Sequence, residues 1–237
     1  MFIAGVNFTL HFRAITGDLK SYFRDSEFIT YSSLIFVITI VISISLVIHA
    51  GNWSYSCVTD SLFQTVSILT TTGFGTADYE LWAFFAQFLI LILMFVGAMG
   101  GSTGGGMKIV RVMLILKYAA LETRRMLHAK AIIPIRIGEK YISGDVIRNT
   151  LGFFLFYIFI FVFTSFFLTT LNIDLKSSMG VAASALGNIG PALGEFGPTD
   201  NYALLPGVGK WLLTFCMLLG RLEIFTVVVL FSRTFRR

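Results

Sequence analysis

The sequence predicts an all-α membrane protein made of two copies of one unit. Each unit is a membrane-length span, a short re-entrant helix, a glycine-bearing loop and a second span. Three observations carry this reading. The 237 residues are 56% hydrophobic and only 13% charged, with a mean hydropathy of +0.81, where a soluble domain carries roughly 25% charged residues. Several apolar runs reach the roughly 20 residues that a bilayer crossing needs. The chain also repeats itself at a shift of 117 residues.

The expected spans are Phe28–Ile48, Leu81–Met99 (extended by Ile109–Leu121 if the helix continues), Thr150–Leu171 and Trp211–Phe231. Their orientation follows from the basic residues. Nine Lys and Arg lie between Lys108 and Arg148, three in the N-terminal stretch and three at the C-terminus, against only Lys176 and Lys210 in the other two connections. The positive-inside rule therefore puts both termini and the middle linker in the cytoplasm. The net charge of +5 is thus a topology signal and not a sign of nucleic-acid binding. The basic linker reads as headgroup contact, and a docking surface for a cytoplasmic partner is compatible with that.

Several chemistries are excluded. Cys57 and Cys216 are the only cysteines, too few for a disulfide framework or a thiolate metal site. His11, His49 and His128 are far apart, so a clustered zinc site is not expected. The opening MFIAGVNFTLHF has neither a basic n-region nor a cleavage pattern.

The repeat lays Leu34–Ile48 on Leu151–Ser165 without gaps. It also lays DSLFQTVSILTTTGFGT (Asp60–Thr76) on SSMGVAASALGNIGPAL (Ser177–Leu193), with Gly73 on Gly190 and Ser67 on Ser184. Each copy carries a helix too short to cross, followed by irregular backbone. Lipid cannot satisfy non-helical N–H and C=O groups, so such backbone must be buried in protein or line water. A helix that stops halfway aims the negative end of its dipole into the membrane. Carbonyls at that end replace the hydration shell of a cation. The candidate filter residues are Thr71, Thr72, Gly73 and Phe74 in one copy and Asn188, Ile189, Gly190 and Pro191 in the other. A single glycine-threonine loop is also compatible with an ordinary turn; two in register favour a filter.

Six glycines fall within the ten residues Gly97–Gly106. Gly101 and Gly106 have phosphate-loop spacing, but Met107 precedes Lys108 and Ile109 replaces the hydroxyl residue that would hold magnesium. Nucleotide binding is therefore not expected. Six glycines cost nearly 1 kcal/mol each in helix propensity, so the break is expected to serve a purpose. Arg221 sits at the centre of Trp211–Phe231. A mid-membrane arginine costs about 2.5–3.5 kcal/mol and faces protein or water. Glu223 is a structural alternative partner, although residues two apart on a helix point about 200° away from each other. An intramembrane serine protease using Ser102 fails on depth, because His49 lies at the opposite side of the membrane and the serine needs a base within reach.

TTTGFGTAD (Thr70–Asp78), GGSTGGGMKIVR (Gly100–Arg111), GNIGPALG (Gly187–Gly194) and MLLGRLEIFT (Met217–Thr226) resemble the Trk/Ktr/HKT superfamily of potassium transporters, most closely its TrkH-type membrane subunits. The opening AGVNFTLHFRAITGD (Ala4–Asp18) looks like that family's join between second and third repeats. The resemblance covers essentially the whole chain. It implies four span–pore-helix–span repeats around a pseudo-fourfold, potassium channel-like pore, of which this chain would hold the third and fourth. The chain then divides into residues 1–27 (end of a preceding repeat and cytoplasmic connection), 28–117 (first repeat), 118–148 (basic cytoplasmic linker) and 149–237 (second repeat). Either the chain is the C-terminal half of a longer transporter, with Met1 an internal start, or it pairs with another chain.

The resemblance implies potassium uptake at the bacterial cytoplasmic (inner) membrane, with no catalysis and no covalently bound cofactor. Potassium would be the transported ligand, met by the carbonyls of Thr71, Thr72, Asn188 and Ile189. Glycine at both filter centres favours potassium, whereas serine there is associated with sodium. The implied gate is Gly100, Gly101, Ser102, Thr103, Gly104, Gly105, Gly106 and Lys108, with Arg221 at the same constriction. The implied partners are membrane lipid, the remaining repeats, a second copy in a homodimer and a cytoplasmic nucleotide-binding regulatory subunit. Coupling by proton or sodium symport stays open, and a non-conducting structural or assembly half-subunit is the alternative function.

Overall fold

The computed structural model of the chain describes residues 1–127, 135–138 and 140–222. The N-terminal stretch forms a 3-10 turn, Ile3–Gly5, and the short helices α1 (Phe8–Ile15) and α2 (Ser21–Arg24). Asn7 starts α1 by accepting the Thr9 N–H at 2.8 Å. The first long helix, α3 (Ser26–Ala50), is capped by Asp25, which accepts the Phe28 N–H at 2.8 Å, and stops at a left-handed Gly51. Its counterpart α7 spans Gly144–Thr170.

Among the described residues, α3 and α7 are the helices long and apolar enough to cross a membrane. Neither has a polar stripe. Phe36, Ile40 and Ile44 on α3, and Phe159, Phe163 and Phe166 on α7, are exposed. A helix that is apolar all round is a core helix or a membrane span, and these two leave a large apolar face uncovered.

Each long helix packs on a short one: α3 on α4 (Tyr55–Leu69), and α7 on α8 (Leu175–Gly187). At 15 and 13 residues these are about 22 and 20 Å long, well short of the roughly 30 Å hydrocarbon core. Ser54 and Asp174 cap their starts, accepting the N–H groups of Ser56 and Ser177. The last turns are enclosed, with Ser67, Ile68 and Leu69 in one and Val181 to Leu186 in the other buried. The small residues of α8 let α7 and the helices α5 (Phe84–Val96) and α9 (Gly207–Arg221) close around it, and α8 forms the centre of the molecule.

The second spans depart from expectation. The helix expected over Leu81–Met99 is only α5, Phe84–Val96. It starts late because Tyr79–Leu81 forms a 3-10 turn, and it stops early because Gly97 takes a positive φ of 72° that a helix cannot continue through. Irregular chain follows until α6 (Ile109–Leu127) begins as a separate helix. The last helix, α9, runs from Gly207 and not from Trp211, with Pro206 setting its entry; its described part ends at Arg221. Glu223 lies outside the described residues. The all-α expectation has one small exception, an antiparallel pair β1 (Arg136–Ile137) and β2 (Lys140–Tyr141), with Arg136 opposite Tyr141. Beside it, Leu114, Leu121 and Ile135 form a second apolar cluster.

Candidate functional site

The two short helices end in the same backbone turn, residue for residue. The N–H of Thr71 bonds the Ile68 carbonyl and that of Thr72 bonds Ser67; 117 residues on, Asn188 bonds Ala185 and Ile189 bonds Ser184. Thr71 and Asn188 both have φ of 55°, and the glycines two residues later are also positive, at 78° for Gly73 and 115° for Gly190. Ser67 and Ser184, matched by the sequence repeat, hold the loops in opposite senses. The Ser67 hydroxyl donates to the Phe74 carbonyl at 2.6 Å, and the Ser184 hydroxyl accepts from the Gly190 N–H at 3.1 Å.

The loops lie side by side. A Cβ built on Gly73 would collide with the Ile189 carbonyl oxygen and sit 3.0 Å from the Pro191 ring. None of the hydrogen bonds among the described residues ends on the carbonyl oxygens of Thr71, Thr72, Asn188 or Ile189. Those oxygens stand at the negative ends of α4 and α8, an arrangement suited to a desolvated cation. Among the described residues no group of His, Cys, Asp and Glu side chains is arranged to hold a metal ion.

A framework absent from the sequence reading fixes this pair. The buried Tyr79 hydroxyl donates to the Ala192 carbonyl at 2.7 Å, and Tyr202 donates to the Gly190 carbonyl at 2.7 Å. Glu80 is salt-bridged to Lys176 and also accepts the Gly194 N–H at 2.8 Å. Gln64 holds the Ala77 carbonyl at 2.9 Å. The loop leaving the first copy thus clamps the loop of the second. In the sequence, TADYE (Thr76–Glu80) carries no local sign of these distant partners.

The glycine-rich segment lies directly beneath. The Gly105 N–H donates to the Thr71 hydroxyl at 2.7 Å, and a Cβ on Gly105 would strike the Gly187 carbonyl at the end of α8. This close approach to the Gly187 backbone requires glycine there. The Lys108 ammonium folds back onto the Gly104 carbonyl. The Ser102 hydroxyl donates to Met99 at 2.6 Å, and His49 lies elsewhere, in a cleft beside Ala83 and Phe85. The other face of the segment rests on the N-terminal stretch: Met99 N–H bonds Gly5, Thr103 bonds Ala4 through both N–H and hydroxyl, and Phe8 N–H bonds Gly101.

Arg221 reaches the same segment and donates to the Thr103 carbonyl at 3.0 Å. Thr103, Gly104, Lys108 and Arg221 line one cavity of about 290 Å³, with Arg111 stacked 4.2 Å over the Phe153 ring at its wall. Glu27, which sequence reasoning missed, accepts the Gly100 N–H at 2.6 Å. Glu27→Ala leaves that half-buried donor unpaired and is expected to cost about 1–3 kcal/mol, whereas Glu27→Gln keeps an acceptor and costs less. Thermal melting of the solubilised protein checks the order; equal losses would mean the contact is not holding the segment.

Two span–re-entrant helix–span units thus bring two loops together at the ends of half-length helices. The family model described as TrkH, cation transport protein, matches residues 26–236, and the chain belongs to that family. It is similar to the Trk system potassium uptake protein TrkH of Halomonas elongata, 37% identical over 238 residues, and to that of Escherichia coli, 34% identical over 239. Each match covers 100% of this chain and 49% of the relative. The crystal structure of the potassium transporter TrkH from Vibrio parahaemolyticus superposes with a TM-score of 0.92 at 36% identity, covering 100% of this chain and 51% of the other. The chain spans about half the length of the curated relatives it matches.

Proposed function

We propose that the protein conducts potassium into the cell across the bacterial cytoplasmic membrane, through a filter to which the Thr71–Phe74 and Asn188–Pro191 loops each contribute one wall. One observation carries this reading. The two loops share a backbone turn, adjoin at Gly73 and Ile189, and carry carbonyl oxygens that accept no hydrogen bond among the described residues, at the negative ends of α4 and α8. The arrangement offers a dehydrated cation oxygen ligands and a favourable field. Residues 28–117 and 149–237 are then two repeats of one pore, joined by the cytoplasmic linker 118–148, with both termini on the same side as the linker. Further filter walls come from the rest of a longer chain or from a second chain.

The gate in this reading is the segment Gly100–Gly106 with Lys108, lying under the filter and held by Arg221 through Thr103. The relatives are named as potassium uptake proteins of a Trk system, which supports potassium as the ion. The basic linker and the termini offer surfaces for a cytoplasmic nucleotide-binding regulatory subunit, the exposed apolar faces of α3 and α7 meet lipid, and two copies form the working unit. The test is growth at limiting potassium of a strain lacking its own uptake systems, with this protein supplied together with the chain that completes its filter. Growth is expected; an inserted, stable protein that gives none points to a non-conducting structural half-subunit.

A further inference from the structure

The geometry points to Thr71 as the residue that couples the filter to the glycine-rich loop, so that ion selectivity and loop position are linked through one hydroxyl. This deepens the filter-and-gate reading and rests on it. Three observations support it. First, the Thr71 hydroxyl accepts the Gly105 N–H at 2.7 Å, a direct hydrogen bond between a filter residue and the loop beneath. Second, Thr71 has a φ of 55°, and left-handed backbone is unfavourable for a β-branched residue unless its surroundings impose it. Third, the matching position in the other copy has the same φ but carries Asn188, a residue type that tolerates this conformation.

The two copies therefore use one backbone shape with different supports. Asn188 is tied by its side-chain amide to the Met217 carbonyl on α9, at 3.0 Å. That helix is continuous through this point. Thr71 is tied to irregular chain, in a segment with positive φ at Gly97, Gly101 and Gly106. A movement of the loop thus removes a support from the strained copy. When Gly105 withdraws, Thr71 is free to leave the left-handed region, and its carbonyl turns with it. In the opposite direction, an ion held by that carbonyl keeps the Thr71 hydroxyl where Gly105 can reach it. Coupling of this kind is reciprocal.

The test compares potassium and sodium flux in membrane vesicles from cells expressing five forms: the parent, Thr71→Val, Thr71→Ser, a loop shortened by Gly104–Gly106, and Thr71→Val combined with the shortened loop. Thr71→Val is expected to lower the potassium-to-sodium ratio roughly threefold to tenfold, the worth of one hydrogen bond. It should add nothing once the loop is shortened, and Thr71→Ser, which keeps the hydroxyl, should restore the parent ratio. Additive losses in the two backgrounds, or a serine variant as poor as valine, overturn the coupling. Gly73→Ser is measured alongside. If it leaves selectivity unchanged, the filter reading itself fails; if it changes selectivity while the Thr71 losses are additive, only the coupling fails.

Amide exchange across residues 97–108 of the parent provides a second measurement that does not depend on any variant folding. Potassium in place of a large organic cation is expected to slow exchange there by about tenfold, since opening the loop must then break the filter contact as well. Identical exchange in the two cations overturns the proposal. Loss of the potassium effect in Thr71→Val assigns it to the hydroxyl.

Discussion

Gly73→Ser is expected to lower potassium-over-sodium selectivity by at least tenfold. Two effects act together. The position has a φ of 78°, where a non-glycine residue is strained by roughly 1–2 kcal/mol. The new Cβ also collides with the Ile189 carbonyl oxygen of the neighbouring loop. Backbone oxygens cannot yield as the tip of a flexible side chain would. The Ile189 carbonyl must rotate or the loops must part, and either movement changes the spacing of the oxygens offered to the ion. A change of 1.4 kcal/mol between two ions is already a factor of ten. Flux ratios measured with each cation alone read the effect directly. A serine variant that inserts normally and keeps the parent ratio would falsify the assignment of these loops as the filter.

Arg221→Ala is expected to raise resting potassium flux by about tenfold to a hundredfold. A fixed unit charge about 5 Å from a passing cation raises its energy by roughly 3 kcal/mol at an effective dielectric constant of about 20, and that corresponds to about a hundredfold in rate. Removing the side chain also frees the Thr103 carbonyl, which loosens the loop. Arg221→Lys separates the two contributions. Lysine keeps the charge but not the planar fork, so a large rise in flux for alanine with a small one for lysine assigns the barrier to charge. If neither Arg221→Ala nor deletion of Gly104–Gly106 alters resting flux, the gate lies elsewhere.

The repeat was legible because it is written in composition. Apolar runs, a short segment of small residues and a glycine at the same offset survive the shift from Gly73 to Gly190, and each has a local physical cause. The break after α5 was legible in kind but not in place: the glycines announced it, yet Leu81–Met99 looked like one continuous span because its apolar residues carry no mark of where the helix ends. The supports of the site were not legible at all. Glu27 meets Gly100, Tyr79 meets Ala192 and Glu80 meets both Lys176 and Gly194, and each partner is the backbone or side chain of a residue dozens of positions away. An isolated acidic or aromatic residue near a membrane boundary reads as a capping or interfacial group. Only the close approach of α8 to the first repeat turns it into a clamp.

The clamp has a consequence for biosynthesis. Tyr79 and Glu80 leave the ribosome about a hundred residues before the Ala192 and Gly194 groups they hold. Chains are made from the N-terminus, and early units fold first. The first loop can settle on its own helix through Ser67, whereas the second finds its receiving groups already presented by the earlier unit. The two units are therefore assembled in sequence, with the first as the mould in which the second is cast.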